Sequence, residues 1–111
     1  MSQPLPPITA TDLKQLIDSG SPPRLIDVRE PNEWVAELGH IDGAELMPLG
    51  TVEASVAKLK GETREIISIC RSGMRAGKAA TFWASQGFPV RVLTGGMIAW
   101  NEAKLPITKT P

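Results

Sequence analysis

Apolar residues along the chain follow two patterns, helical spacing and short continuous runs. Leu13, Leu16 and Ile17 recur at intervals of three and four residues, which predicts one face of a first helix. Ile8, just before that helix, is predicted to open a short edge strand. Short runs bounded by glycine, proline or charged residues predict buried strands over 24–28, 44–47, 65–70 and 90–93.

Helical segments are predicted between and after these strands. Pro31 suits the first position of a helix that reaches Gly39, and Val52, Val56 and Leu59 lie on one side of another. The remaining two are a long helix packed through Ala76, Ala79, Ala80 and Trp83, and a last helix through Ile98 and Trp100. Because strands and helices alternate, the pattern predicts an α/β fold with a parallel sheet and helices on both faces.

Length and composition restrict the class of protein. The 111 residues suffice for one domain, which we place at 8–105, after a lead-in at 1–7 and before a tail at 106–111. Twelve basic and twelve acidic residues cancel, which argues against nucleic acid or an acidic membrane as partner. The basic residues Arg71, Arg75, Lys78 and Arg91 nevertheless lie in a stretch, 66–101, that contains no acid.

The chain has neither a recognisable targeting segment nor a metal-binding motif. Its first residues lack the basic and apolar regions of a signal peptide, and no apolar run approaches the ~20 residues that span a bilayer. A cytoplasmic location is therefore expected, with Cys70 a free thiol. One cysteine and one histidine make a zinc site unexpected.

Cys70 stands at the end of the strongest predicted strand, followed by Arg71, Ser72, Gly73, Met74 and Arg75. Sites in parallel sheets form just past the carboxyl ends of the strands. A helix begins within a few residues, so its free N–H groups and the flanking arginines favour the thiolate. Gly73 permits the tight, concave backbone of an anion cradle. We therefore predict that Cys70 is a nucleophile rather than a core residue.

Four segments in order resemble the rhodanese-like domain family: Asp27–Trp34, Gly39–Ala44, Cys70–Arg75 and Gly95–Trp100. The resemblance implies a five-stranded, mainly parallel sheet and a sulfurtransferase. It matches Cys70 to the cysteine that forms a persulfide, and residues 72–75 to the loop whose amides cradle the sulfur. Arg71 and Arg75 match positions whose cations bind the donor anion. Donors such as thiosulfate, acceptors such as cyanide or a thiol, including a protein thiol, and no metal or cofactor are implied.

Two alternatives stay open. Related phosphatases have Cys-x5-Arg, whereas Cys70 to Arg75 is Cys-x4-Arg, which disfavours the larger loop that accommodates phosphate. A persulfide carrier without turnover, or a module that docks other proteins, is the second alternative. Inactive members of the family typically lack the cysteine, so its presence here favours chemistry.

Other polar and aromatic residues have a structural interpretation. Asp27 and Arg29 are predicted to form a buried ion pair that supports the active loop. His40 is expected at a turn rather than as a base. Gly95 and Gly96 lack the spacing of a nucleotide-binding loop and predict a strand-to-helix turn. The three tryptophans are expected in the core: Trp34, Trp83 and Trp100.

Overall fold

In the computed structural model, which describes residues 3–111, four strands alternate with five helices. The strands are β1 (Arg24–Asp27), β2 (Glu45–Leu46), β3 (Ile66–Ile69) and β4 (Val90–Val92). The helices are α1 (Ala10–Asp18), α2 (Pro31–Trp34), α3 (Val56–Leu59), α4 (Met74–Ser85) and α5 (Gly96–Glu102). The sheet has the order β2-β1-β3-β4, and every neighbouring pair is parallel. The predicted α/β architecture is confirmed.

Alternating side chains of the strands divide the core into two layers. Ile26 and Ile66 face a layer with α3 and α4, whereas Leu25 and Ile67 face a layer with α1 and α5. This alternation follows from the two-residue period of a strand. Continuous apolar runs are therefore required for a sheet covered on both faces, and the chain has them.

The predicted fifth strand is reduced to one bridge. Ile8 pairs in parallel with Leu93, and its N–H and carbonyl bond to Val92 and Thr94, at 3.0 and 2.8 Å. The lead-in thus lies beside β4 but forms no ladder, because three prolines among residues 4–7 remove backbone donors. Residues 1 and 2 of the predicted lead-in lie outside the described residues.

Two helix predictions were too long. The segment 52–59 contains a 3₁₀ turn, Glu53–Ser55, before α3, and it follows another, Leu49–Thr51. The helix that begins at Pro31 ends at Trp34, and the remaining residues to Gly39 form turns. Thr9 caps the start of α1, since the N–H of Asp12 donates to its hydroxyl at 3.2 Å.

The C-terminal segment packs onto the turn before β2. Thr108 and His40 exchange two backbone hydrogen bonds of 2.9 Å, and the indole N–H of Trp100 donates to the Pro106 carbonyl at 2.8 Å. His40 is buried, its ring is stacked 3.5 Å from that of Trp34, and its Nδ1 lies 2.7 Å from the Trp34 carbonyl. His40 thus lies in a bridge with Thr108, just before the turn that leads into β2, and Trp34 is half-buried against it rather than in the core.

Two further features concern the described part of the chain. Among residues 3–111, no helix combines the length and apolar composition needed to cross a bilayer. Within the same residues, no three His, Cys, Asp or Glu side chains are grouped so that they could hold a metal ion.

Candidate active site

The predicted site residues meet at the carboxyl edge of the sheet. Cys70 follows β3 directly, and Asp27 ends β1, the neighbouring strand, where it is the register partner of Ile69. Ligand sites of parallel sheets form at this edge. The loop 70–73 then leads into α4, so the thiol stands between a strand end and a helix start.

The sulfur of Cys70 is held by the backbone of its own loop. The residue is 1% exposed and packs in the apolar layer under α4. The N–H of Gly73 donates to its Sγ at 3.0 Å. Gly73 has φ +119°, a conformation that glycine adopts far more readily than other residues, and it is the residue from which α4 begins. The Gly73 amide therefore presents a fixed hydrogen-bond donor to the sulfur.

Two carbonyls of the loop accept hydrogen bonds from N–H groups at the start of α5. The N–H of Met97 donates to the Cys70 carbonyl at 2.8 Å, and that of Ile98 to the Arg71 carbonyl at 3.0 Å. In a trans peptide the C=O and the following N–H point in opposite directions. The N–H groups of Arg71 and Ser72 therefore point away from α5.

Several amides of the loop and of the helix start have no protein acceptor. No protein acceptor among residues 3–111 takes the backbone N–H of Arg71, Ser72, Met74 or Arg75. The latter two belong to the first turn of α4, where donors lack intrahelical partners. The loop thus presents a set of unpaired donors, which is the feature that an anion cradle requires.

Arg75 forms an ion pair with Glu33, a residue of α2. Its guanidinium donates to both carboxylate oxygens of Glu33, at 2.6 and 2.9 Å, and Glu33 also accepts the N–H of Glu30 at 3.0 Å. The hydrogen bonds from Arg75 lower the pKa of Glu33 to about 2. The hydrogen bond and the charge of Glu33 raise the pKa of Arg75 in turn.

Asp27 and Arg29 form the buried pair that the sequence predicts. Their side chains are 0% and 1% exposed, and the Arg29 fork reaches the Asp27 carboxylate at 2.7–3.1 Å. The same guanidinium donates to the carbonyls of Gly39, at 2.7 Å, and Glu33, at 3.4 Å. The pair therefore links the end of β1 to α2 and to the turn before β2.

Arg71, Ser72 and Met74 are exposed at the mouth of the site. Met74 has 77% of its surface accessible, the largest value among the apolar side chains described as exposed. Arg71 borders a cleft of about 280 Å³, and Cys70 is not among the residues that line it. The cleft is lined by Arg29, Glu33, Ala36, Glu37, Leu38 and Arg71.

Two residues of the site were not recognised in the sequence. Glu33 lies in the segment Asp27–Trp34, but nothing in its spacing connects it to Arg75, 42 positions later. For Gly96 the sequence predicts a turn and no contact with Cys70. With φ +57°, it brings α5 so close that a β-carbon there would overlap the Cys70 carbonyl oxygen. The double glycine was the available signal, since glycine often marks a close backbone approach.

Comparison with known proteins agrees with this architecture. The model of the family described as "Rhodanese-like domain" matches residues 9–103. A probable adenylyltransferase/sulfurtransferase, MoeZ, of Mycobacterium tuberculosis is 37% identical over 102 residues, covering 89% of this chain and 25% of that protein. The putative sulfurtransferase YtwF of Bacillus subtilis is 36% identical over 99 residues, covering 89% of this chain and 93% of that protein.

A solved structure shows the same fold. The rhodanese-related protein of Thermoplasma volcanium superposes with a TM-score of 0.84 at 25% identity, covering 96% of this chain and all of that one. The chain spans about a quarter of the length of MoeZ but nearly all of YtwF. Because the family model covers most of the chain and a 36% identical relative matches over nearly its full length, the chain belongs to the rhodanese-like domain family.

Proposed function

We propose that the chain is a sulfurtransferase that moves a sulfane sulfur from thiosulfate, or a similar donor, through a persulfide on Cys70. The observation that supports this most directly is the 3.0 Å hydrogen bond from the Gly73 N–H to the Cys70 sulfur, inside a loop of unpaired amides. This arrangement suits a thiolate and a small anion together.

The first half-reaction needs no metal or organic cofactor. The Cys70 thiolate attacks the sulfane sulfur of thiosulfate, a new S–S bond forms, and the old S–S bond breaks. Sulfite leaves with the electron pair of the broken bond, and the outer persulfide sulfur keeps the negative charge. Unpaired N–H groups of the loop stabilise the charge on the departing sulfite, as fixed donors do in other transfer reactions.

The second half-reaction returns the cysteine. Cyanide or a thiolate attacks the outer sulfur, and the S–S bond breaks with its electron pair going back to the Cys70 sulfur as thiolate. A covalent intermediate of this kind gives ping-pong kinetics. A reducing compartment such as the cytoplasm suits the cycle, because Cys70 has to be a free thiol before each turnover.

Intact mass tests the proposal. After incubation with excess thiosulfate, the wild type should gain one sulfur atom, lose it on addition of cyanide with release of thiocyanate, and Cys70→Ser should gain none. A wild type that stays unmodified under these conditions would overturn thiosulfate as donor. Turnover of an aryl phosphate that depends on Cys70 would favour the phosphatase alternative instead.

One observation favours a second function, delivery of sulfur to or from a protein. Met74 is 77% exposed beside the loop, and a large apolar side chain in that place suits contact with another protein. If Cys70 accepts one sulfur from a partner's persulfide but cyanide brings no repeated turnover with thiosulfate, the chain is a carrier rather than a thiosulfate sulfurtransferase.

A further inference from the structure

The two arginines of the loop differ in what surrounds them. Both oxygens of the Glu33 carboxylate accept from Arg75, at 2.6 and 2.9 Å, and the pair is only 25% and 33% exposed. Arg71 is exposed and forms no ion pair within residues 3–111. The charge of Arg75 is therefore neutralised by Glu33, whereas the charge of Arg71 has no carboxylate partner among residues 3–111.

The position of Glu33 is fixed from two sides. Its Oε1 accepts from both Arg75 and the N–H of Glu30, in the capping box that begins α2. The pKa of Glu33 is lowered to about 2, so the carboxylate is charged at every pH near neutrality. A donor that enters the loop therefore meets a permanent negative charge beside Arg75.

In the cleft next to the loop, too, one arginine is paired with a carboxylate and another is not. Arg29 borders it, but its charge is offset by Asp27 at 2.7 Å. Among the side chains that line this cleft, Arg71 is the one cation without a carboxylate partner in residues 3–111. Such a surface attracts an anion weakly.

We propose that Glu33 is a specificity-determining residue that offsets Arg75 and so favours sulfane-sulfur donors with one negative charge over dianions such as thiosulfate. The proposal rests on the proposed sulfurtransferase function of Cys70. It assigns to Glu33 an effect on the charge of the donor, distinct from the persulfide chemistry itself.

Coulomb's law gives the size and the form of the effect. At an assumed separation of about 7 Å in water, one unit charge changes the affinity of a monoanion about 2.7-fold and that of a dianion about sevenfold. The effect on a dianion is the square of that on a monoanion, whatever the distance. This ratio distinguishes a charge effect from a general loosening of the loop, which would affect both donors equally.

The experiment compares two donors with the same reacting sulfur. Thiosulfate carries two negative charges, and methanethiosulfonate carries one. kcat and KM are measured with cyanide as acceptor for the wild type, Glu33→Gln and Glu37→Gln. Glutamine at 33 keeps the length and the acceptor oxygen of the capping box. Glu37→Gln is the matched control, because Glu37 lines the same cleft but does not bond to Arg75.

We expect Glu33→Gln to lower KM for thiosulfate about sevenfold and for methanethiosulfonate about 2.7-fold, with kcat within about twofold. Glu37→Gln should change the ratio of the two KM values by less than about twofold, since its charge is exposed and screened. Equal changes for the two donors, or a loss of kcat with both, would overturn the proposal and make Glu33 a structural support of the loop.

A binding measurement separates this proposal from the function on which it rests. Thiosulfate is titrated into Cys70→Ser and into Cys70→Ser/Glu33→Gln by calorimetry, which needs no turnover. Tighter binding to the double variant supports the role of Glu33 even if the wild type transfers no sulfur. Equal affinity, or no binding to either variant, overturns it even if the wild type forms its persulfide.

Discussion

Gly96 lies so close to the backbone of Cys70 that its hydrogen occupies the space where any other residue would place a β-carbon. A β-carbon there would stand 2.5 Å from the Arg71 carbonyl oxygen and nearer still to that of Cys70. The contact lets the N–H groups of Met97 and Ile98 bond to these same carbonyls. The orientation of the loop amides therefore depends on a glycine 26 positions beyond the cysteine.

Replacing Gly96 by alanine should damage stability and activity together. Positive φ and the backbone overlap should lower the free energy of unfolding by at least about 3 kcal/mol, measured by urea titration. Gly87→Ala is the control, because Gly87 has φ +91° but open space around its α-carbon. It should cost about 1 kcal/mol. Equal losses would show that the contact with Cys70 is unimportant.

Removing the charge of Asp27 should destabilise the fold strongly. Asp27→Asn leaves the Arg29 guanidinium buried without its counterion, which costs about 3 kcal/mol of unfolding free energy. Glu65→Gln, which breaks the partly exposed pair with Arg91, should cost less than about 1 kcal/mol. Urea unfolding at neutral pH measures both. Similar small losses would contradict the view that the buried pair supports the site.

The two loop arginines should respond differently to truncation. Arg71→Ala should raise KM for thiosulfate about fivefold while the free energy of unfolding changes by less than about 0.5 kcal/mol, because the side chain is exposed. Arg75→Ala should lower that free energy by about 1 kcal/mol, since Glu33 loses its partner.

Lys58→Ala removes an exposed cation on α3 and serves as the control for net charge. It should leave both KM and stability unchanged. If all three variants raised KM equally, the overall charge of the protein, rather than the cations of the loop, would govern capture of the donor.

The free energy of unfolding should fall in acid because protonation of Glu33 removes its ion pair with Arg75. Because folding lowers its pKa from 4.5 to about 2, the ion pair with Arg75 stabilises the fold above pH 4.5. That stabilisation is lost as pH falls toward 2. Wild type should exceed Glu33→Gln by about 1 kcal/mol at pH 7, and the two should converge near pH 2. A difference that stays constant across this range, in urea titrations at several pH values, would contradict the pairing.

Local sequence signals were sufficient to locate Cys70. Its β-branched strand, the glycine three positions later and the helix that follows are all properties of neighbouring residues. Asp27 and Arg29 were predictable for the same reason, since they follow one strand and are two positions apart. Where structure depends on nearby residues, the predicted buried strands and the buried Asp27–Arg29 pair agree with the structure, and the nucleophilic role of Cys70 stays a prediction.

Contacts between residues far apart along the chain could not be predicted from the sequence. The pairing of Glu33 with Arg75 depends on how α2 and α4 approach each other, which no pattern along the chain specifies. The stacking of His40 on Trp34 depends in the same way on a turn of irregular shape. The sequence predicts a strand at Ile8 because this residue is apolar, but the structure has only one bridge there. Whether the preceding prolines prevent strand pairing depends on their neighbours in space.

The central pairing of β1 with β3 has a consequence for how the molecule unfolds. Asp27 and Ile69 are register partners although 42 residues separate them, and parallel strands cannot be joined by a hairpin. The ends of these strands hold Asp27 and Cys70 in place, so no fragment with local contacts alone can assemble the site. Persulfide formation and global structure should therefore disappear at one common denaturant midpoint, with no partly folded species that keeps the chemistry.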